Sequence, residues 1–272
     1  MKTVADALAA ARARGIDRLD AHLLLAHVMA QSRSWLLAND DASLTEEQRQ
    51  LMGTFIEQRA SGEPVAYLLG EKEFYGLPLS VSPAVLIPRP DTETLVDWAL
   101  ELMRSLPLPN SVLDMGTGSG AIALALKHNL PSAHVSALDA SGGALAVAID
   151  NAARLQLEVH FLLSDWWERV TGQRFNLIVS NPPYVAGDDE HLIALQHEPQ
   201  MALTPGGDGL GALRHIVAGA PVHLHDGGWL LLEHGHDQAP AVAGMLTQLG
   251  FGSVTTRHDL AGIPRCTGGR WG

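Results

Sequence analysis

The sequence predicts an α/β fold in which a parallel β-sheet is covered on both faces by helices and preceded by a small helical bundle. From Asp91 onward, short apolar runs typical of strands alternate with amphipathic helical stretches, which indicates a parallel sheet with crossover helices. Before Gly70, apolar residues recur at helical spacing without strand-like runs. A chain of 272 residues with 46% hydrophobic residues is long enough for one large domain and a smaller partner.

Residues 1–72 are predicted to form the helical bundle. Val4, Leu8 and Ala11 share one helical face, which predicts the first helix. Another helix is predicted to begin after Thr45, because Thr45 and Gln48 have the spacing of a capping box. The apolar faces of the second and third helical segments are predicted to consist of Leu23, Leu24, His27 and Val28 and of Leu51, Met52, Phe55 and Ile56.

Residues 73–90 are predicted to form a β-hairpin linker between the two domains. Turn-forming glycines interrupt the helical pattern here. Within a β-like stretch from Glu73 to Ile87, the apolar residues Leu77, Leu79 and Val81 then alternate with other residues.

Residues 91–272 are predicted to form the α/β domain. Its first helix runs from Leu95 to Met103 and is predicted to end at Pro107 and Pro109. The glycine-rich end of the chain, from Arg257 to Gly272, looks irregular. Strands are predicted at Ser111–Met115, Val135–Asp139, Val159–Leu163, Phe175–Ser180 and Trp229–Glu233, with further runs near Gly252–Thr256 and Thr267–Trp271, and helices at Ala121–His128, Gly143–Leu155 and Gly209–Ala218.

The net charge and the cysteine content limit the kinds of partner and the cellular compartment that we expect for the chain. A formal net charge of −12 argues against a partner bound mainly through phosphates, and it suits either solubility or a basic protein partner. Cys266 is the single cysteine, so no intramolecular disulfide framework is expected. Neither a signal peptide nor an apolar run of about 18 residues occurs, so we expect a cytoplasmic protein without a membrane segment.

A glycine-rich turn after the first strand of the α/β domain predicts a cofactor site. Asp114 is followed by Gly116, Gly118 and Gly120, which let the backbone turn sharply and approach a ligand. The same spacing satisfies a relaxed dinucleotide fingerprint, so a nicotinamide-dependent dehydrogenase is one interpretation. Asp139 ends the next strand, where its carboxylate can accept hydrogen bonds from the ribose of an adenosyl cofactor.

Other residues favour S-adenosylmethionine as the cofactor. Asp114 would repel a pyrophosphate, whereas it can accept hydrogen bonds from the ammonium of a methionyl group. Asp165 follows the third strand, from which it can reach the amino group of an adenine, and Trp166 offers an apolar face to the ring.

The sequence Asn181-Pro182-Pro183-Tyr184 follows the fourth strand, at the edge where open α/β sheets bind ligands. Successive prolines cannot continue a sheet ladder, so they fix the backbone in a rigid turn. The Asn181 side-chain oxygen and the Pro182 carbonyl oxygen can then accept both N–H bonds of a primary amide or an exocyclic amine, while Tyr184 stacks on the planar group.

This arrangement suits methyl transfer to nitrogen. The lone pair of an amide is delocalised, and acceptors on both hydrogens raise its electron density and aim it at the methyl donor. A sulfonium methyl group is a strong electrophile, so no metal is required. The candidate catalytic residues are Asn181, Pro182 and Tyr184, and these residues alone leave a glutamine amide and an adenine amine equally open.

These motifs resemble those of class I methyltransferases, and more closely those of the PrmC/HemK family of protein-(glutamine) methyltransferases. The resemblance extends over most of the chain. The glycine turn alone is not specific, whereas Pro88–Glu93 combined with Asn181–Tyr184 is. Met115 stands where we expect a leucine in this family. The further matching segments are Gly62-Glu63-Pro64, Phe74, Leu86–Glu93, Glu198-Pro199 and Leu231–Gly235.

The resemblance implies a Rossmann-like, seven-stranded methyltransferase sheet and S-adenosylmethionine as the methyl donor. The implied substrate is the glutamine of the Gly-Gly-Gln motif in peptide-chain release factors, which the helical domain would help to hold. Arg89 is implied to lie near the cofactor, and Asn181, Pro182, Pro183 and Tyr184 to contact the glutamine. With the residues above, the expected cofactor-binding set is Asp114, Gly116, Thr117, Gly118, Ser119, Gly120, Asp139, Asp165, Trp166 and Asn181.

Several alternatives remain from the sequence. A methyltransferase for a ribosomal-protein glutamine would carry the same tetrapeptide, and a nucleic-acid adenine methyltransferase conflicts with the charge of −12. A non-catalytic adaptor would use the helical domain for docking. No metal site is expected, because the pairs His223/His225 and His234/His236 have no third ligand cluster nearby in sequence. Glu233 either lines the crevice or supports the scaffold.

Overall fold

The computed structural model describes residues 1–105 and 110–272. Pro107 and Pro109, which are predicted to end a helix, therefore lie outside the described residues. The chain divides into two compact units, Met1–Glu71 and Lys72–Gly272. Within the described ranges, no helix is long and apolar enough to cross a membrane.

The first unit is built from helices. The predicted capping box at Thr45 and Gln48 is confirmed, and Thr3 and Asp6 form another at the start of the chain. Each box satisfies backbone N–H groups that have no partner within the helix. The helices are α1 (Val4–Ala13), α2 (Arg18–Met29), α3 (Arg33–Ala38), α4 (Glu46–Ala60) and α5 (Val65–Leu69).

The buried face of α2 is wider than the periodicity predicts. Leu24 and Val28 are buried as expected, but His27 is exposed and Leu25 is fully buried. α2 packs against α1, α3, α4 and α5, so more than one stripe of its surface is covered. In α4, Leu51 is likewise 42% exposed, while Met52, Phe55 and Ile56 form the core face.

A hairpin of β1 (Glu71–Phe74) and β2 (Leu77–Ser80) follows the helices, and all of it but Glu71 belongs to the second unit. Its turn residues Tyr75 and Gly76 have φ values of 52° and 78°, the pattern of a type I′ turn. Val81 lies beyond the strand, although it is buried. A 3₁₀ turn at Pro90–Thr92 then leads into α6 (Glu93–Arg104).

A seven-stranded sheet forms the centre of the second unit, as predicted. Its strand order is β5-β4-β3-β6-β7-β9-β8, in which β9 runs antiparallel to both neighbours and the ladder from β5 to β7 is parallel. The predicted parallel arrangement therefore holds from β5 to β7, and β9 is the exception. The strands are β3 (Ser111–Met115), β4 (His134–Asp139), β5 (His160–Leu163), β6 (Phe175–Ser180), β7 (Leu224–Glu233), β8 (Gly252–His258) and β9 (Pro264–Arg270).

Both faces of the sheet are buried, because successive side chains of its strands enter different cores. Leu177 and Val179 pack into one core together with Trp98 of α6, whereas Ile178 packs into the other together with Leu213. The remaining helices are α7 (Ala121–Asn129), α8 (Gly142–Leu155), α9 (His191–Ala194), α10 (Gln200–Leu203), α11 (Gly211–His223) and α12 (Ala239–Gln248).

The end of the chain is regular, contrary to the expectation from its glycines. Gly268 lies in β9, where a Cβ would come within 2.4 Å of Leu231 Cδ2 and 2.9 Å of the Trp98 ring. A glycine is needed there because α6 packs closely on the sheet. The glycines of this segment therefore mark tight packing and not an irregular tail.

Candidate active site

A cavity of about 540 Å³ lies within the second unit, at the carboxyl ends of the parallel strands. Its size is in the usual range for a small-molecule or cofactor site. Predicted residues from four separate strand ends converge on it, which adjacent parallel strands make possible. The predicted residues that line it are Gly116, Gly118, Asp139, Asp165, Trp166, Asn181 and Pro183.

The glycine turn forms the floor of this cavity. Gly116 and Gly118 have φ values of 73° and 56°, and a Cβ on either would meet no described atom within 4 Å. The backbone is thus exposed to the cavity at both positions. Gly120, by contrast, faces Leu124 and Ala148, so it serves the packing of α7.

Three of the predicted cofactor contacts lie behind the floor. The Thr117 hydroxyl donates to Asp114 Oδ2 at 2.6 Å, and Ala123 N donates to the same oxygen at 3.2 Å. The Ser119 carbonyl accepts a hydrogen bond from Asn151. Asp114, Thr117 and Ser119 are buried and do not line the cavity, and the Asp114–Thr117 hydrogen bond and the Ser119 carbonyl hold the glycine turn from behind.

Asp114 is an unusual group for this position. It is fully buried, and its Oδ1 atom has no hydrogen-bond partner among the described residues. Burial raises the pKa of its carboxyl to about 7, against the hydrogen bonds from Thr117 and Ala123 that lower it. A buried, unpaired carboxylate oxygen is costly unless a donor or a cation meets it.

Asp139 is held at the cavity wall by backbone donors. Gly118 N donates to Oδ2 at 2.9 Å and Ser141 N donates to Oδ1 at 2.8 Å. Burial nevertheless raises the pKa of this carboxyl. Each carboxylate oxygen has a further lone pair, so Asp139 is oriented and still able to accept hydrogen bonds from hydroxyl groups of a ligand.

Trp166 carries backbone strain at the cavity. Its φ of 44° lies in the left-handed region, which is rare for a bulky residue. The side chain lines the cavity, with its ring centroid 6.2 Å from that of His215. His215 was not predicted as a site residue, because a single histidine within an apolar helix does not form a recognisable motif.

The turn after β6 is fixed by its neighbours. Asn181 and Pro183 line the cavity, whereas Pro182 is buried and Tyr184 packs against the core. The Tyr184 carbonyl accepts a hydrogen bond from Gln238 Nε2 at 3.0 Å. A Cβ on Gly209 would lie 2.3 Å from that same carbonyl oxygen, so the backbone passes there because Gly209 has no side chain. The predicted helix start at Gly209 is accordingly wrong, and α11 begins at Gly211.

The segment from Ile87 to Glu93 is anchored on several sides. Glu198 accepts a hydrogen bond from Ile87 N at 3.0 Å and pairs with the Arg89 guanidinium. Glu93 accepts from Tyr75 N at 3.0 Å. Segments that are distant in sequence, and that carry the resemblance described above, therefore meet beside Asn181. Arg89 itself does not line the cavity.

Thr92 connects this segment to Asn181, whose Nδ2 donates to the Thr92 hydroxyl oxygen at 3.2 Å. Thr92 also interacts with Glu233, which is 1% exposed, and this interaction lowers the pKa of the Glu233 carboxyl against the effect of burial. Burial raises the pKa of Glu233 to about 7. The Tyr184 hydroxyl lies 3.4 Å from Glu233 Oε1, and burial together with this carboxylate raises the pKa of the phenol.

The rest of the cavity wall was missed by the sequence reasoning. Leu86 and Pro199 were noted because they belong to motifs, and the other residues carry no polar pattern that would have identified them. Most of those others come from the stretch after β2, from the segment that leads from β4 into α8, and from the region between Pro199 and α11, namely Ala84, Val85, Ala140, Ser141, Ala144, Met201, Thr204, Pro205 and Ala212.

The histidine pairs have structural partners. His223 stacks on Trp167 with ring centroids 4.6 Å apart, and its Nδ1 lies 3.0 Å from the Gln173 carbonyl. His234 Nε2 lies 2.7 Å from the Thr267 hydroxyl, and burial lowers the pKa of this imidazole. In the described ranges, no group of three or more His, Cys, Asp or Glu side chains is placed to hold a metal ion.

Comparison with known proteins agrees with this geometry. The family model of the methyltransferase small domain matches residues 94–255, and that of the PrmC N-terminal domain matches residues 1–70. A methyltransferase from Pyrococcus furiosus, at 18% identity and a TM-score of 0.55, covers 82% of this chain and 98% of its own, which shows the fold. The chain is a methyltransferase of this fold class.

Curated relatives define the family more closely. Release factor glutamine methyltransferase from Bordetella pertussis is 48% identical over 258 residues, with 94% of this chain and 95% of the relative aligned. The protein of the same name from Xylella fastidiosa strain Temecula1 is 48% identical over 267 residues, with 97% of each chain aligned. The chain belongs to the release factor glutamine methyltransferase family. The dehydrogenase interpretation of the glycine turn is therefore wrong.

Proposed function

We propose that the chain transfers a methyl group from S-adenosylmethionine to the side-chain amide nitrogen of the glutamine in the Gly-Gly-Gln motif of a peptide-chain release factor. The observation that carries this proposal is the placement of Asn181 at the cavity edge with its Nδ2 bound to Thr92. The Asn181 Oδ1 atom is then the one left to accept a hydrogen bond from a substrate amide.

The residues around the cavity fit S-adenosylmethionine. Asp139 would accept hydrogen bonds from the ribose hydroxyls, and Trp166 with Asp165 would contact the adenine. Asp114 stays a proposed acceptor for the methionyl ammonium because its Oδ1 atom is unpaired, although its side chain is buried behind the glycine turn and does not line the cavity. The exposed backbone at Gly116 and Gly118 would let the ligand approach closely.

When bound, S-adenosylmethionine supplies an electrophilic methyl group on a sulfonium. Asn181 Oδ1 and the Pro182 carbonyl would each accept one N–H of the glutamine amide, which holds the nitrogen in line with that methyl group. Tyr184 would pack against the planar amide. The Asn181–Tyr184 turn is rigid, so these acceptors are set before substrate arrives and stabilise charge as it develops on nitrogen. The proton that nitrogen loses after methylation can pass to water.

The helical unit, residues 1–72, is proposed to help hold the release factor, with residues 73–90 as linker and 91–272 as the catalytic domain. The net charge of −12 favours a basic surface on the partner. It also argues against direct binding of nucleic acid. Because release factors act in translation, we place the reaction in the cytoplasm.

The test is incubation of purified release factor with the enzyme and S-adenosylmethionine, followed by peptide mass spectrometry. One added methyl group on the motif glutamine is expected, and none on a release factor in which that glutamine is replaced. Parallel reactions contain ribosomal proteins and DNA. Equal methylation of either of these substrates would refute the assignment to a release factor.

A further inference from the structure

We propose that Thr92 is a positioning residue that, together with Glu233, fixes which end of the Asn181 side-chain amide faces the substrate. This inference rests on the proposed function of Asn181 as an acceptor for the substrate amide. It concerns a side chain that lies behind the cavity, because Thr92 is only 4% exposed and does not line it.

The side chain of asparagine is a primary amide with two chemically different ends. An asparagine side chain can rotate so that either its oxygen or its NH₂ group points to a given neighbour, and the two ends are nearly the same size. Only the oxygen can accept a hydrogen bond from a substrate N–H. Asn181 therefore needs a partner that distinguishes its two ends, and the prolines that follow it cannot supply one.

The Thr92 hydroxyl provides that distinction. A hydroxyl has one hydrogen to donate, and an ionised carboxylate can only accept. The Thr92 hydrogen cannot go to Asn181 Nδ2, which is itself a donor, and the Glu233 carboxylate, which interacts with Thr92, is the acceptor beside it. The Thr92 oxygen accepts from Asn181 Nδ2 at 3.2 Å. This order of donors turns Asn181 Oδ1 away from Thr92.

Thr92 is itself held in place. Thr92 is the last residue of a 3₁₀ turn. The residue directly before it, Asp91, lies 3.0 Å from the Arg265 guanidinium. The following residue, Glu93, accepts a hydrogen bond from Tyr75 N at 3.0 Å. Anchors on both sides keep the hydroxyl at a fixed point relative to β6, and this is the requirement for a positioning group.

A contribution to the stability of the fold does not explain why a carboxylate stands at position 233. Glu233 is 1% exposed, and its Oε2 atom has no hydrogen-bond partner among the described residues. A buried carboxylate with an unsatisfied oxygen costs free energy, and an apolar side chain of similar size would stabilise the core more. Its position beside Thr92 and Tyr184 fits a role in orienting the site.

The first arm of the test compares Thr92→Val with Thr92→Ser in steady-state methylation of the release factor. Valine keeps the shape but removes the hydroxyl, so we expect kcat to fall about 10- to 100-fold with the KM for S-adenosylmethionine within about twofold. Serine should restore most of kcat. Thr247→Val is the control, because its hydroxyl also makes a hydrogen bond, to the Ala243 carbonyl, but lies on the exposed side of α12. Equal losses in the valine and serine variants would contradict the proposal.

The second arm asks whether Thr92 acts through Asn181. In an Asn181→Ala background, Thr92→Val should cause no further loss in single-turnover rate, since the group that it positions is gone. Losses that multiply independently would show that Thr92 acts in another way.

The third arm does not depend on the substrate. In ¹⁵N-labelled enzyme, the side-chain amide protons of Asn181, identified by their absence in Asn181→Ala, should exchange with solvent at least about tenfold faster in Thr92→Val than in wild type. Unchanged exchange would overturn the inference. If the wild-type enzyme methylates no release factor, the proposed function fails, while this arm still decides the role of Thr92.

Discussion

The guanidinium of Arg265 bridges Asp91 and Asp259, with its Nη2 atom 3.0 Å from Asp91 Oδ2 and 3.1 Å from Asp259 Oδ2. Arg265 lies in β9, near the end of the chain, and Asp91 lies directly before Thr92. This ion pair therefore ties the antiparallel strand to the segment that orients Asn181. A shift of β9 would therefore move Arg265, and with it Asp91 and the neighbouring Thr92.

Replacement of Arg265 should destabilise the second unit. Arg265→Met leaves the Asp259 carboxylate, whose side chain is 3% exposed, without its charged partner. We expect a loss of about 3 kcal/mol in the free energy of unfolding, measured by urea denaturation. Arg214→Met is the matched control, because its pair with Asp208 is more than half exposed on both sides and should contribute little to stability. Equal losses in the two variants would contradict this account.

Removal of the Asn181 amide should abolish turnover more than it weakens cofactor binding. Asn181→Ala deletes one of the two acceptors proposed for the substrate nitrogen, and loss of such a group costs about 100- to 1,000-fold in kcat. The Kd for S-adenosylmethionine, measured by calorimetry, should rise less than about tenfold. Asn129→Ala, which alters a hydrogen bond to Ala125 in α7, should behave as wild type. Retained turnover in Asn181→Ala would disprove the two-acceptor mechanism.

Cofactor affinity should depend on the carboxylate of Asp139. In Asp139→Asn, one acceptor oxygen becomes a donor that faces Gly118 N or Ser141 N, both of which also donate. We expect the Kd for S-adenosylmethionine to rise about 10- to 100-fold, as for the loss of hydrogen bonds to a charged group. Asp150→Asn, on the exposed side of α8, is the control. Similar Kd values for Asp139→Asn and wild type would mean that Asp139 only shapes the glycine turn.

Gly209 should be required for activity because its backbone passes close to the Tyr184 carbonyl. Gly209→Ala would place a Cβ 2.3 Å from the Tyr184 carbonyl, so the turn that carries Asn181 would have to move. We expect kcat to fall at least about tenfold. Gly206→Ala has nearly the same backbone strain, with φ of 77° against 75°, but its Cβ would meet no described atom within 4 Å. If both variants lose the same activity, strain and not contact is the cause.

The buried carboxyl of Glu233 should make stability depend on pH. Its pKa is raised from 4.5 to about 7 by burial, so the folded state binds more protons than the unfolded state between these values. Stability is therefore lost as pH rises through about 7. Glu233→Gln removes this titration and should gain about 3 kcal/mol over wild type at pH 8 relative to pH 4.

Denaturation of both proteins across this pH range is the measurement. If the free energies of unfolding of the two proteins differed by the same amount at every pH, the pKa of Glu233 would be the same in the folded and unfolded states, which would contradict the prediction. Asp114, whose pKa is also raised to about 7, stays in both proteins and so cancels from the difference.

Local features of the fold were predictable. β3 and β6 have the predicted bounds, because each is a short apolar run bordered by turn residues. The Thr45 capping box was predictable since it depends on residues three apart. β9 was the weakest case, because its glycines look like a loop until Trp98 of α6 is packed against them.

The sequence alone determined the class of chemistry, since the glycine turn and Asn181–Tyr184 each follow a strand and strand ends of a parallel sheet share one edge. Only the tertiary structure revealed that Thr92 contacts Asn181, that Glu233 lies behind them, and that His215 and Met201 complete the cavity wall. The physical reason is the distance along the chain over which each interaction acts. Turns and caps depend on neighbours in the chain, whereas the direction of a hydrogen bond between a side chain before α6 and one after β6 exists only once the sheet has formed.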